Sequence, residues 1–334
     1  MAKIFISGVA GFLGSHLADA FIKDGHEVVG CDDLLGGYLD NVPAQVEFYQ
    51  YDCNFLNSMI KITKGVDIIY HCAAAAYEGL SVFSPYLVTK NVYQNSISLI
   101  TAAIANQVKR FVYCSSMARY GAQRVPFMED MPTRPQDPYG IAKLSVEFTL
   151  KNLAELHGME YVIAVPHNII GPRQKYDDPY RNVASIMINL MLQDRQPIIY
   201  GDGNQKRCFS FVQDCVEPLK KMAFADNVAG EIINIGPDEE FVTINQLYQT
   251  IAELLDFKKE PIYLPERPLE VKLATCSSEK ARRLLGYKTQ YNLKQGLQSI
   301  IDYIKVRGPK PFKYHIDLEI INEKTPKSWS EKKF

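Results

Sequence analysis

Through the first half of the chain, short β-branched runs alternate with stretches whose apolar positions recur at helical spacing. That alternation predicts strands of a parallel sheet, each followed by a helix that covers one of its faces. Strands are expected at 3–7, 27–31, 46–50, 67–71, 110–114 and 161–165. Helices are expected at 12–23, 88–106 and 139–157. Six strands in βα alternation give an α/β fold with a doubly wound parallel sheet.

The texture changes after Pro166. Gly171-Pro172-Arg173-Gln174 opens a loop-rich region, and the apolar spacing then predicts helices at 183–192, 214–224, 244–256, 279–285 and 293–306. Strands broken by Gly201-Asp202-Gly203 are expected within 197–211. This half reads as a smaller α+β substrate-binding cap over the carboxyl ends of the sheet, where ligands bind in such folds. The expected division is 1–171 for the sheet domain and 172–305 mainly for the cap. A strand and helix around 207–235 would return to the sheet. The tail, 306–334, is rich in Lys, Pro and Glu and holds the one tryptophan, Trp329. It is expected to be loose or to lie on a subunit surface.

The charge balance, 37 basic against 38 acidic residues, gives no electrostatic reason to expect nucleic acid or an anionic membrane as partner. No apolar run approaches the ~20 residues needed to span a bilayer. The start, Met1-Ala2-Lys3-Ile4-Phe5-Ile6, leads directly into a strand and lacks the flanks of a signal peptide, so the cytoplasm is the expected compartment. Seven scattered cysteines without a CxxC pair read as reduced core thiols. The six histidines show no metal-ligand spacing, and no metal is expected.

Gly8-Val9-Ala10-Gly11-Phe12-Leu13-Gly14 runs from the first strand into the first helix. Glycines there allow a tight turn and a close approach to a pyrophosphate resting on the positive end of the helix. Asp32 ends the second strand, where its carboxylate can accept hydrogen bonds from ribose hydroxyls and repel a 2′-phosphate. Asp33 follows it, with no arginine beside the pair. Strand, glycine loop, helix and acid together predict a Rossmann-type sheet that binds NAD in preference to NADP.

The GxxGxxG spacing resembles the short-chain dehydrogenase/reductase superfamily, and the chain length suggests its extended branch. Asp52-Cys53 resembles the pair that contacts adenine in that branch. His71-Cys72-Ala73-Ala74 resembles its H-x-A-A segment, where Cys72, Ala73 and Ala74 would lie against the cofactor. Asn91 resembles the helix asparagine that supports the site. The resemblance also places Phe12, Leu13, Ser115, Pro166 and His167 beside NAD.

Tyr139-Gly140-Ile141-Ala142-Lys143 is the superfamily's YxxxK signature, and it opens a predicted helix. The i, i+4 spacing puts phenol and ammonium on one face. A free tyrosine, with a pKa of ~10, is too weakly acidic to serve as a base at neutral pH, and a nearby cation lowers that value. Cys114-Ser115-Ser116-Met117-Ala118-Arg119-Tyr120-Gly121 resembles the S-S-x-x-x-Y-G segment of nucleotide-sugar epimerases. Ser116 would hydrogen-bond the reacting sugar oxygen and help pass its proton. Ser116, Tyr139 and Lys143 form the expected catalytic set.

Pro166-His167-Asn168-Ile169-Ile170-Gly171-Pro172-Arg173-Gln174 resembles the family's R-Y-F-N-V-Y-G-P-R-Q segment, which assigns Asn168 to the sugar or its diphosphate. His167 replaces an aromatic there, as packing or as an adjustment of the site. Gly201-Asp202-Gly203-Asn204-Gln205-Lys206-Arg207-Cys208-Phe209 matches G-D-G-x-x-x-R-x-F, making Arg207 the expected diphosphate ligand; Arg267 resembles a second. Guanidinium groups suit that role by bidentate bonding to phosphate.

The resemblance covers residues 3–305 and is greatest toward UDP-hexose 4-epimerases. Met117, an expected substrate neighbour, stands where the branch's dehydratases and uronate decarboxylases carry an acid, which argues against both chemistries. Arg119 fills a position usually small and apolar. The expected activity is epimerisation of a nucleotide-diphosphate sugar at C4 of a UDP-hexose. Net dehydrogenation on the same scaffold and a non-catalytic NAD sensor are the alternatives. The helices at 88–106 and 139–157, with Leu144, Phe148 and Leu156, are expected to pair in a homodimer, as the resemblance implies.

Overall fold

A computed structural model describes residues 1–334. Its first half runs β1 (Lys3–Ser7), α1 (Phe12–Lys23), β2 (Glu27–Cys31), β3 (Glu47–Tyr49), α2 (Leu56–Ile62) and β4 (Ile68–His71). It continues through α3 (Pro85–Thr89), α4 (Asn95–Ala105), β5 (Arg110–Cys114), α5 (Pro138–His157) and β6 (Glu160–Pro166). These six strands and a later one, Ile232–Ile235, form one sheet in which every neighbouring pair is parallel. The order is Ile232–Ile235, β6, β5, β4, β1, β2, β3. The chain reverses its direction of travel between β1 and β4, which opens a crevice at their carboxyl ends.

Alternation along the strands builds the core on both faces. Phe5, Ile69, Phe111 and Ile163 pack against α2, α4 and α5, while Ile4, Ile6, Tyr70 and Val112 pack against α1 and the helix Val212–Lys221. The seventh strand and that helix fall within the 207–235 return expected from sequence. The helix expected at 88–106 is broken into α3, a π-helical turn at Lys90–Gln94, and α4. The helix α2 was not anticipated; its seven residues are too few to display a clear period.

The cap combines helices Val183–Leu192, Ile244–Leu255 and Leu293–Arg307 around a shared apolar core. Its short strands pair as Phe241–Thr243 against Lys206–Cys208, and Ile262–Leu264 beside Ile198–Tyr200. No helix is long and apolar enough to cross a membrane.

The tail is not loose. Ile316 and Trp329 are buried with Tyr77, Phe83, Tyr139 and Tyr180. Trp329 meets the rings of Phe83 and Tyr180 edge-on, with centroids at 6.2 and 5.7 Å. Glu319 accepts from the backbone N–H groups of Tyr86 and Leu87 at 2.9 and 2.8 Å, supplying the first turn of α3 with acceptors from far along the chain. On the cap side, Lys313 N donates to Asp177 O at 2.8 Å and Asn189 Nδ2 to Lys310 O at 2.9 Å. The tail thus straps the sheet half to the cap half. Aromatic residues spread among Lys and Pro gave too little periodicity to show it in the sequence.

Candidate functional site

The crevice beside β1 and β4 is a cleft of about 330 Å³. The glycine loop forms its floor. Gly8 has φ +73°, and a Cβ there would lie 2.9 Å from Ala73 N; a Cβ on Gly14 would lie 2.2 Å from Gly8 O. Only glycine fits either place, and the cradle it leaves lies at the amino end of α1. Asp32 accepts from Ala10 N and Leu34 N at 3.0 and 2.7 Å, and burial raises its carboxyl to about 6. The expected cofactor residues Phe12, Leu13, Asp33, Asp52, Cys53, Cys72, Ala73, Ala74, Asn91, Ser115 and Pro166 also line this cleft. A glycine cradle closed by an unpaired acid fits a dinucleotide without a 2′-phosphate.

The support beneath the cleft is hydrogen-bonded. His71 is fully buried between the hydroxyls of Ser7 and Ser96, 2.7 Å from each, and burial lowers its pKa to about 3. It is a neutral strut. The π-helical turn places Asn91, whose Oδ1 accepts from Asn54 Nδ2 at 3.0 Å while Ala75 N donates to its carbonyl at 3.2 Å.

The same cleft holds Ser116, Tyr139 and Lys143. Asp137 caps α5 by accepting from Gly140 N at 2.8 Å, and Pro138 starts the helix, so Tyr139 enters on its first turn. Burial raises the Tyr139 phenol above the usual tyrosine range, with Ser116 pulling the other way. The lowering expected from Lys143 is not what the geometry gives. Its ammonium lies 5.9 Å from the centre of the Tyr139 ring and donates to Cys114 O at 2.7 Å. Burial brings Lys143 itself down to about 8.

Three residues are turned away from the site. His167 is fully buried and shares a hydrogen bond with Pro237 O at 3.0 Å, so it packs behind β6 and does not line the cofactor cleft. Met117 packs on the apolar core and lines neither cavity, because the short turn after Ser116 points it inward. Arg119 is buried in an ion pair with Glu147 at 3.0 Å. Glu147 also accepts from Ser115 Oγ, tying the end of β5 to α5.

A second cavity, of about 310 Å³, adjoins the first on the cap side. Asn168, Gln174 and Arg181 line both. Arg207 and Arg267, distant in sequence, meet across this cavity at Glu270, with N–O distances of 3.8 and 2.9 Å. Arg207 also donates to Val271 O at 2.7 Å, and Arg267 lies 4.9 Å over the Tyr200 ring. Among the lining residues that sequence reasoning missed are Glu78, Asp137, Arg181 and Trp329. Asp137-Pro138 was readable as a helix start; the others carry no local signal.

A profile of the NAD dependent epimerase/dehydratase family matches residues 4–236. A UDP-glucose 4-epimerase of Mycolicibacterium smegmatis is 30% identical over 91% of this chain and 98% of its own length. The UDP-glucose 4-epimerase of Thermotoga maritima, solved with UDP-glucose, superposes with a TM-score of 0.85 at 31% identity, covering 91% of this chain and 99% of that one. The UDP-glucuronic acid 4-epimerase of Bacillus cereus, solved with UDP-glucuronic acid and NAD, gives a TM-score of 0.85 at 29% identity, covering 92% of this chain and 100% of that one.

Proposed function

Because this chain belongs to the NAD dependent epimerase/dehydratase family, we propose that it is an NAD-dependent epimerase acting at C4 of a UDP-hexose. One observation carries the reading. The cleft that holds the glycine cradle, Ser116 and Tyr139 adjoins, through Asn168, a cavity walled by Arg207 and Arg267. A nucleotide sugar with its diphosphate on the arginines would reach toward Tyr139 with its hexose.

Bound NAD would supply a reversible two-electron oxidant at C4. Tyr139, as phenolate, takes the proton of the 4-hydroxyl, and Ser116 hydrogen-bonds the same oxygen. Lys143 holds the cofactor ribose, and the positive charge of the oxidised nicotinamide, when bound, would favour the phenolate. Arg207, Arg267 and Asn168 hold the diphosphate while the 4-keto sugar turns and is reduced on its other face. Fixing one end of the substrate in this way lowers the entropic part of the barrier.

We further propose units at 1–171, 172–305 and 306–334, a cytoplasmic setting where NAD and nucleotide sugars are both at hand, and a homodimer. Ile141, Phe148, Leu156 and Tyr86 support the dimer: all are large, apolar and more than half exposed on α5 and α3. Leu144, expected on that face, is buried instead.

The test is catalytic enzyme with UDP-glucose, followed by NMR. We expect an equilibrium mixture of C4 epimers without build-up of reduced cofactor. One turnover per enzyme, with reduced cofactor accumulating and no epimer, would assign a net dehydrogenase instead.

A further inference from the structure

Glu78 lines the cap-side cavity and is open to it. It follows the H-x-A-A segment, in a loop that the tail holds in place. Tyr77 OH donates to Asp178 at 2.8 Å and lies 3.2 Å from His315 Nε2. Phe83 O accepts from Glu319 N and Ile320 N at 3.0 and 2.9 Å. At Gly79, next along, the place of a Cβ lies 3.3 Å from Arg267 Nη1 and 3.7 Å from the Trp329 ring. The loop therefore sits against a diphosphate arginine on one side. On the other, Tyr77, the residue before Glu78, is buried in the same apolar cluster as Tyr139.

The carboxylates around it are committed. Glu270 takes both Arg207 and Arg267, and Asp137 caps α5. The Glu78 carboxylate makes no hydrogen bond and no ion pair. It is a free acceptor in the interval between the group that would take the C4 proton and the groups that would hold the diphosphate at C1. That interval is where the hexose ring must lie.

We propose that Glu78 is a specificity-determining residue that accepts hydrogen bonds from hydroxyls of a neutral hexose and disfavours a sugar bearing its own carboxylate. This rests on the proposed nucleotide-sugar site and narrows its substrate class. A carboxylate on the hexose would meet a second one in a confined pocket of reduced dielectric, where like charges repel more strongly than in water. A hydroxymethyl group there would donate a charge-assisted hydrogen bond. Crowding by the pocket walls, then the charge of Asp137, raises the Glu78 carboxyl to about 7 against the opposite pull of Arg207 and Arg267, so the discrimination grows as pH rises through 7 and most of it is present at pH 8.

The experiment is calorimetric titration of the NAD-loaded protein at pH 8 with UDP-glucose and with UDP-glucuronate, in wild type, Glu78→Gln and Glu78→Ala. Wild type should bind UDP-glucose at least tenfold tighter than UDP-glucuronate. Both variants should shrink that ratio tenfold or more; a ratio cancels any common effect on the diphosphate arginines. Equal wild-type affinities, or a ratio that both variants leave unchanged, would overturn the assignment. NMR on the same mixtures reads the epimerase separately. UDP-glucose that binds with the expected ratio but yields no epimer would leave Glu78 standing and remove the C4 chemistry. Binding of neither sugar would overturn both.

Discussion

At the scale of single residues, Tyr139 carries the sharpest prediction. Tyr139→Phe should abolish turnover while NAD binding persists, since only the proton-transfer hydroxyl is lost. Retention of more than a tenth of wild-type rate, about 1.4 kcal/mol of barrier, would mean another group is the base. Arg119 and Glu147 are both buried, so Arg119→Met leaves a charge without its partner and should destabilise the fold by about 3 kcal/mol or more, read by urea denaturation. His71 gives a pH dependence. Its folded pKa, about 3, is below its unfolded value, so the unfolded chain binds a proton that the native one refuses. Its contribution is present above pH ~6.5 and is lost as pH falls toward 3. His71→Gln should reduce the slope of stability against pH in that window by up to about 1.4 kcal/mol per pH unit. An unchanged slope would show that His71 is not held neutral.

At the scale of elements, the strands and the long helices were legible because their periods are set by burial on one face or two. The sequence reading of β1, β2 and β5 agrees with the observed strands to the residue. The break of the helix through Asn91 was not legible, because a π-helical turn needs no special residue and leaves the apolar spacing nearly intact. The glycine loop is the element whose residues and position could be read together, and it supplies its own test. A methyl on Gly14 would strike Gly8 O, so Gly14→Ala should weaken NAD binding at least tenfold; equal affinity would mean the cradle does not hold the cofactor. Arg207 and Arg267 were each recognisable from their neighbours, yet their convergence on Glu270 depends on the cap closing, which local sequence does not encode. His167 and Met117 show the converse: a motif position fixes the backbone, whereas the turn decides which way the side chain points.

At the scale of the whole molecule, sheet and cap are joined by the tail, which passes from Asn189 and Asp177 on one side to Phe83 and α3 on the other. Removing residues 311–334 should lower Tm and uncover the apolar cluster around Tyr139, so the truncated chain should bind a hydrophobic dye; an unchanged Tm would mean the strap contributes nothing. Light scattering at micromolar concentration should give the mass of a dimer, and a monomer would refute the pairing through α3 and α5. The strap also provides an optical consequence. Trp329 is the molecule's one tryptophan, buried at 2% exposure, and its ring lines the cap-side cavity. All indole fluorescence therefore originates at a single known point on the wall of the pocket. Emission of the unmodified protein should be blue-shifted, should change when a nucleotide sugar enters, and should report the opening of the strap before the rest of the fold melts.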